Sequence, residues 1–197
     1  MDPSLTPLRR GSPPLGAVLA GGAGLRLGGA KPTTELVGKP LIAYPLDALS
    51  QAGLGAVVIA KKDSPLPDLQ VPIVTEPDEP QHPLAGVAEA LRQAEGRGAL
   101  VVPCDAPFLS PMLLRVLASA TSTTAIRSGG RAHPLIAFYQ SGNLPRLEAA
   151  AAAGEPATST LESLDPVWIE APEQETFNVN TPSDLDRAED LLRQPQS

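Results

Sequence analysis

Residues 15–31 read LGAVLAGGAGLRLGGAK, an apolar run that ends in a glycine-rich segment. The apolar part, residues 15–20, predicts a buried strand that enters a loop at Gly21 and Gly22. Five glycines among residues 21–29 leave the backbone amides free to converge on an anion. Arg26 and Lys31 add two cations. The pattern favours a phosphate site after the first strand over its alternative, a flexible surface turn.

Two common glycine motifs do not fit this segment. The dinucleotide pattern G-x-G-x-x-G fails because Leu27 stands where the third glycine belongs. The P-loop pattern fails because Lys31 is preceded by Ala30 and followed by Pro32. Neither of these nucleotide-binding motifs is therefore predicted.

Composition narrows the function classes. The 197 residues are 42% apolar and carry a formal charge of −7, which argues against a nucleic-acid or membrane-surface partner. Glycines and prolines interrupt every apolar run before the roughly 20 residues that a membrane span needs. A single cysteine excludes an internal disulfide. We expect a cytoplasmic protein in which residues 1–14 form a flexible tail without a signal peptide.

The remaining pattern alternates short apolar strands with helices. We predict an α/β fold, a single three-layer domain with a Rossmann-like, mostly parallel sheet and helices on both faces. The domain covers residues 15–197, with a nucleotide half at about 15–120 and an acceptor half at about 121–197. The predicted strands are residues 15–20, 56–60, 71–74, 99–102, 124–127 and 134–139. The predicted helices are residues 40–52 with a kink at Pro45, 83–94, one after Pro111, 143–153, and one opening at Thr181.

Asp105 stands directly after a predicted strand, in the run VPCDAPF of residues 102–108. Because ligands bind at the carboxyl ends of strands in such sheets, this carboxylate is a candidate for holding Mg²⁺ against phosphates. A turn or helix cap is the alternative. Its neighbour Cys104 is expected to be a small buried residue.

Residues 76–86, EPDEPQHPLAG, lead into a predicted helix at the same edge. Backbone amides at residues 84–86 are candidates for contact with a base or a phosphate. For His82, an ordinary loop position is favoured over a ligand contact.

Two polar groups are expected on the acceptor side. Asn178 and Asn180 are two residues apart, so they would share one face of a strand and reach one ligand or metal. A polar edge next to a helix cap is the alternative. His133, with Arg131 beside it, could orient an acceptor phosphate, and a structural role is equally open.

The glycine segment and the run LVGKPLI at residues 36–42 resemble the signature of sugar-nucleotide and cofactor nucleotidyltransferases. The later segments PLAG, PCDAPF, HPLIAFY and FNVNTP, in this order, are similar to those of molybdenum cofactor guanylyltransferases. The resemblance extends from about Leu15 to Leu192. It implies a magnesium-dependent enzyme that joins GMP from GTP to the phosphate of molybdopterin and releases pyrophosphate. Transient contacts with cofactor-donor proteins and recipient molybdoenzymes are also implied.

The resemblance also implies roles for individual residues. Arg26, Lys31 and Asp105 would be catalytic, Asp105 would bind the metal, and His133, Asn178 and Asn180 would contact the acceptor. The nucleotide would lie against Leu19, Ala20, Gly21, Gly22, Lys31, Asp78, Gly86 and Asp105. Asp78 is preferred to Glu76 as the acidic contact. No strong general base is evident, and a phosphate nucleophile needs none.

The chain departs from this family at several points. His82 replaces a frequent glycine, no asparagine follows the second strand at residues 60–62, and residues 157–160 lack the expected arginines. A cytidylyltransferase or a sugar-phosphate nucleotidyltransferase on the same scaffold therefore stays open. A nucleotide-binding regulator without turnover is the alternative from another functional class.

Overall fold

The computed structural model describes residues 12–21 and 31–193. Residues 1–11 of the expected tail, and Gly22 and Arg26 of the glycine segment, lie outside this part of the chain. The strands are β1 (Leu15–Leu19), β2 (Glu35–Leu36), β3 (Lys39–Pro40), β4 (Ala56–Ala60), β5 (Ile73–Thr75), β6 (Ala99–Pro103), β7 (Thr124–Ser128), β8 (Arg131–Tyr139) and β9 (Val167–Glu170). The α-helices are α1 (Ala43–Gln51), α2 (Pro83–Gln93), α3 (Pro111–Ala118), α4 (Leu144–Ala153), α5 (Ala157–Glu162) and α6 (Pro182–Arg193).

Seven of these strands form one sheet in the order β5-β4-β1-β6-β8-β7-β9. β1 pairs in parallel with β4 and β6, β4 with β5, and β7 with β9, whereas β8 is antiparallel to both of its neighbours. All strands of this sheet except β8 therefore end at the same edge. This edge brings together the loops that leave β1, β5 and β6.

Helices cover both faces of the sheet with aliphatic side chains. Leu84, Leu147 and Leu161 of α2, α4 and α5 pack on one face and are each fully buried. Leu49 and Leu114 of α1 and α3 pack on the other face. The predicted fold class is confirmed, with β8 as the antiparallel exception in a mostly parallel sheet.

The region predicted as one helix at residues 40–52 begins differently. Pro40 belongs to β3, which pairs with β2 in a two-stranded hairpin, and the helix starts only at Ala43. Val37 and Gly38 turn this hairpin with φ values of 50° and 72°. Pro45 lies in the first turn of α1, where a backbone N–H has no helical acceptor, so a kink is not required. The predicted start of this helix at Pro40 was wrong.

Two short elements were not predicted. α5 has six residues, too few for an apolar period to be recognised. β9 pairs in parallel with β7, from Thr124 opposite Val167 to Arg127 opposite Glu170. Its residues alternate little in burial, so only this pairing identifies it as a strand.

A bulge divides β8 into an inner and an outer part. Ala125 lies opposite Ala137, but the next residue of β7, Ile126, lies opposite His133. We call the outer part, residues 126–133, the β7–β8 arm. The hydroxyl of Tyr139, a fully buried residue, donates a hydrogen bond of 2.8 Å to the carbonyl of Pro134 within the bulge. Bulges bend a strand, and this one directs the arm away from β6.

Across residues 12–21 and 31–193, no helix has the length and apolarity needed to cross a bilayer.

Replacing Tyr139 with Phe tests whether this hydrogen bond holds the bulge. The variant removes the hydrogen bond of a fully buried side chain, so the free energy of unfolding should fall by about 0.5–1.5 kcal/mol in urea titrations. Tyr44→Phe is the matched control, because the hydroxyl of Tyr44 donates to the carbonyl of Leu36 at a half-buried position. Water can replace that donor, so the control should lose less. Equal losses in both variants would contradict this role of Tyr139.

Candidate active site

Adjacent parallel strands place the loop after β1 beside the loop after β6. The amide of Cys104 donates to the carbonyl of Leu19 over 3.1 Å, and the amide of Ala20 donates to Ile59 over 2.7 Å. These bonds continue the sheet past its regular end. Asp105 therefore lies next to the start of the glycine segment, as the sequence predicts.

Lys31 joins the nucleotide half to the acceptor half. Its Nζ lies 2.7 Å from Oδ2 of Asp105 and 2.5 Å from Oδ1 of Asn180. The side chains of Lys31 and Asp105 are only 18% and 10% exposed, so water screens this ion pair weakly. Three residues that the sequence assigned to cation, metal and acceptor roles thus meet at one point. We call Lys31, Asp105 and Asn180 the central triad.

The loop that carries Asn178 and Asn180 is anchored to the β6 loop. The amide of Val179 donates 2.9 Å to the carbonyl of Asp105, and the Val179 side chain is fully buried beside Leu36. This segment is irregular, so the prediction that both asparagines share a strand face was wrong. Asn180 nevertheless reaches the site through Lys31, and its Nδ2 donates a 3.3 Å hydrogen bond to the backbone carbonyl of Asn178. Oδ1 of Asn178 is buried and accepts no hydrogen bond from any described residue.

A reciprocal cap at the start of α6 fixes the backbone of Asn180. The amides of Asn180 and Thr181 donate to Oδ2 of Asp184 at 3.0 Å and 2.9 Å, and the amide of Asp184 donates to Oγ1 of Thr181 at 3.2 Å. This reciprocal pair is a capping box, and it starts α6 where the sequence predicts a helix that opens at Thr181. Burial alone would raise the pKa of Asp184, but hydrogen bonds from Thr181 and Asn180 outweigh it and lower the pKa.

Glu76 follows β5 and is buried at the same edge. A β-carbon at Gly21 would overlap its Oε1, and one at Gly86 would lie 2.9 Å from its Oε2. Glycine at these two positions lets the carboxylate lie between the loop after β1 and the first turns of α2. Burial raises the pKa of Glu76, and the Lys61 ammonium, 3.5 Å from Oε1, offsets this only in part.

Asp78 takes a different position from Glu76. It is exposed on the loop after β5, and its backbone carbonyl accepts a 3.2 Å hydrogen bond from Lys61. Sequence reasoning preferred Asp78 and passed over Glu76. The available signal was position, because Glu76 is the first carboxylate after the end of β5.

The two histidines lie in different settings. His82 caps α2, with its Nδ1 accepting a 3.2 Å hydrogen bond from the amide of Leu84. His133 lies on the β7–β8 arm, half-buried, and the described contacts do not join it to the central triad. Burial lowers the pKa of His133 and the nearby Arg131 guanidinium lowers it further, so the imidazole is neutral at pH 7.

Cys104 is buried, and burial together with the adjacent Asp105 raises the pKa of its thiol to about 12. The thiol therefore stays protonated and unreactive at neutral pH. The sequence prediction of a small buried residue is confirmed.

The oxygen donors beside the central triad fit a hard cation such as Mg²⁺. They are the carboxylate of Asp105 and, two residues along the chain from Asn180, the buried amide oxygen of Asn178, which lacks a donor among the described residues. No group of three or more His, Cys, Asp or Glu side chains that could hold a metal occurs in the described parts of the chain. Mg²⁺ commonly binds one or two carboxylates and completes its shell with water and substrate phosphates, so one carboxylate suffices.

The cap of α6 gives a direct test of how the Asn180 loop is held. Asp184→Ala removes the acceptor for two backbone amides. The free energy of unfolding, measured by urea titration at pH 7, should therefore fall by about 1 kcal/mol. Because the pKa of Asp184 is lowered in the folded state, its contribution is present above the unfolded pKa of about 4 and is lost as the pH falls further. Asp186→Ala, at an exposed position of the same helix, is the control. The role fails if both variants are equally stable at pH 7.

Known proteins share both the sequence and the fold. Residues 16–167 match the family described as the MobA-like NTP transferase domain. The molybdenum cofactor guanylyltransferase of Rhodobacter capsulatus is 36% identical over 187 residues, which cover 91% of this chain and 96% of that protein. The crystal structure of molybdopterin-guanine dinucleotide biosynthesis protein A from Archaeoglobus fulgidus superposes with a TM-score of 0.72 at 26% identity, covering 90% of this chain and 98% of that one.

A more distant structure shares the fold alone. The 2-C-methyl-D-erythritol 4-phosphate cytidylyltransferase of Thermus thermophilus superposes with a TM-score of 0.70 at 18% identity, covering 93% of this chain and 100% of that one. The family match, by contrast, includes Lys31 and Asp105 of the central triad and ends at Val167, the first residue of β9. The chain belongs to the MobA-like NTP transferase family.

Proposed function

We propose that this chain transfers GMP from GTP to the terminal phosphate of molybdopterin and releases pyrophosphate. The observation that carries the proposal is the central triad, in which one ammonium bonds both Asp105 and Asn180. It brings a nucleotide-side cation, a metal-side carboxylate and an acceptor-side amide to one point. Relatives that bear the name molybdenum cofactor guanylyltransferase support the same reaction. The cytoplasmic location expected from the sequence is part of this proposal.

The nucleotide would bind at the edge where β1, β5 and β6 end. Gly21 and Gly86 admit the Glu76 carboxylate to this edge, and Lys31 supplies a positive charge next to Asp105. Leu19, Ala20, Gly22 and Arg26 complete this proposed site on the nucleotide half. Because Glu76 is buried between the two glycines while Asp78 is exposed, we favour Glu76 over Asp78 as the acidic contact to the nucleotide.

The acceptor would approach from the opposite half of the sheet edge. Asn178 and Asn180 would face the reacting phosphates from the loop before α6, and the support for Asn178 is its buried Oδ1, which accepts no hydrogen bond from the described residues. His133 on the β7–β8 arm is proposed to contact the acceptor further out. We also propose that a cofactor-donor protein and recipient molybdoenzymes contact the chain transiently at the acceptor half of this edge.

Mg²⁺ is the proposed cofactor, with Asp105 as its protein ligand. When bound, it would neutralise charge on the triphosphate and on the leaving pyrophosphate. Asn178 could add an amide oxygen to the same region. This donor set contains only oxygen, which is the chemistry that Mg²⁺ prefers.

The reaction needs alignment and charge neutralisation rather than a strong base. A phosphate oxygen of the acceptor attacks the α-phosphorus of GTP, forming a new P–O bond. The bond from the α-phosphorus to the bridging oxygen breaks, and pyrophosphate leaves with that electron pair. The nucleophile is already anionic, so no proton has to be removed. Lys31 and Arg26 would hold the triphosphate in line and offset the charge that builds on the leaving group.

Pyrophosphate release tests this proposal and its nearest rival. With molybdopterin as acceptor and Mg²⁺ present, GTP should give product and pyrophosphate in equal amounts, and CTP should give far less. A preference for CTP, or for a sugar phosphate as acceptor, would contradict the proposal. Binding of GTP without product from any acceptor would favour a regulator.

The same assay tests the role of Asp105. Asp105→Asn keeps the size of the side chain but removes the charge for Mg²⁺, so turnover should fall by at least about 100-fold, as expected for a loss of several kcal/mol of transition-state stabilisation. Circular dichroism should show an intact fold. Asp190→Asn, the same change at an exposed position of α6, is the matched control and should keep full activity. Near-normal turnover in Asp105→Asn would refute the metal role.

Replacing Lys31 separates nucleotide binding from the fold. Lys31→Ala removes a charge-assisted contact to phosphate, so the Kd for GTP measured by calorimetry should rise by about 10- to 100-fold. Lys62→Ala, at an exposed position after β4, should leave the Kd unchanged. An unchanged GTP affinity in Lys31→Ala would rule out the proposed triphosphate site.

A further inference from the structure

A pocket of about 540 Å³ lies between the β7–β8 arm and α5, away from the central triad. It is lined by Arg127, Gly130, Arg131, Ala132, Thr158 and Glu162. None of these residues has a role in the reaction as proposed above. The pocket therefore raises the question of what ligand it accepts.

The charges in this pocket are of both signs and are not paired with each other. Arg127, Arg131 and Glu162 all line this pocket. Across residues 12–21 and 31–193, none of the three forms a salt bridge. Two guanidinium groups offer planar sets of N–H donors, and the carboxylate offers acceptors. The hydroxyl of Thr158 can serve as either. This set suits a ligand that presents both donors and acceptors.

Arg127 is held in place by an aromatic ring. Its Cζ lies 4.2 Å from the centroid of Trp168, which is on the neighbouring strand β9. A cation–π contact of this kind orients the guanidinium and lowers the entropy lost when it binds a ligand. One wall of the pocket is thus organised before any ligand arrives.

The pocket opens at the edge of the sheet where the reaction is proposed. β8 runs antiparallel to β6, so it begins at the edge where β6 ends and Asp105 follows. Arg131 is the first residue of β8 and Gly130 precedes it in the turn of the arm. A ligand that spans from the arm to Asp105 would therefore run along one edge of the sheet, across the acceptor half.

We propose that this pocket binds the pterin end of the acceptor while the acceptor phosphate reaches the central triad. This inference rests on the proposed function. A pterin presents an amino group and a ring N–H side by side, which match the two oxygens of Glu162, and it presents a carbonyl oxygen and ring nitrogens that match Arg127 and Arg131. A second phosphate subsite fits less well, because Glu162 would repel it.

The single tryptophan of the chain, Trp168, contacts the pocket residue Arg127 and can therefore report on ligand binding there. Titrating the full chain with 6-hydroxymethylpterin, a pterin without phosphate, should quench Trp168 emission in a saturable way, after correction with free tryptophan. Glu162→Gln should raise the Kd by at least about tenfold, because it loses the charge-assisted pair. In the transfer assay the same variant should raise the KM for the acceptor and leave the KM for GTP unchanged.

Glu95→Gln is the matched control, an identical change at an exposed residue between α2 and the start of β6, at the opposite edge of the sheet. It should behave as the unmodified chain. The inference would be overturned if Glu162→Gln bound the pterin as tightly as the unmodified chain. It would also be overturned if inorganic phosphate displaced the pterin and bound more tightly to Glu162→Gln than to the unmodified chain. If the pterin binds as expected but no acceptor yields product, the pocket stands and the proposed function fails. If product forms and Glu162→Gln leaves the KM for the acceptor unchanged, the proposed function stands and the pocket inference fails.

Discussion

The ammonium of Lys31 lies between the carboxylate of Asp105 and the amide oxygen of Asn180, at 2.7 Å and 2.5 Å. Positions 74 and 149 residues apart from Lys31 in the sequence meet here, in a setting with little solvent screening. The contact requires β1 and β6 to be neighbours, Val179 to be buried against the β6 loop, and the cap at Asp184 to hold Asn180. These three features together hold Asp105 and Asn180 against the Lys31 ammonium.

The antiparallel direction of β8 is the second feature that shapes this edge of the sheet. A strand that begins at the edge where β6 ends places a hairpin there instead of a strand end, so the arm and its arginines lie at the same edge of the sheet as Asp105. The bulge held by Tyr139 and Pro134 separates this arm from the regular sheet. The parallel strand ends and this hairpin thus give the two halves of the edge different shapes.

The sequence allowed the fold class and much of the site to be predicted, because parallel strand ends meet at one edge and Asp105 and the glycine segment each follow a strand. Other features depend on contacts that no local pattern encodes. Glu76 stands out only once Gly21 and Gly86 are seen to surround it, and Asn180 reaches the site from an irregular loop rather than a strand. The two-residue strands β2 and β3 and the six-residue α5 are too short to show a period.

The most direct measurement for this account is a crystal structure of the full chain with GTP and Mg²⁺. The account predicts that Nζ of Lys31 bonds the triphosphate, that the metal binds Asp105 and phosphate oxygens, and that Asn180 stays in place under its cap. A triphosphate bound elsewhere, with the Lys31–Asp105 ion pair unchanged, would contradict the central claim that this triad joins the donor to the acceptor.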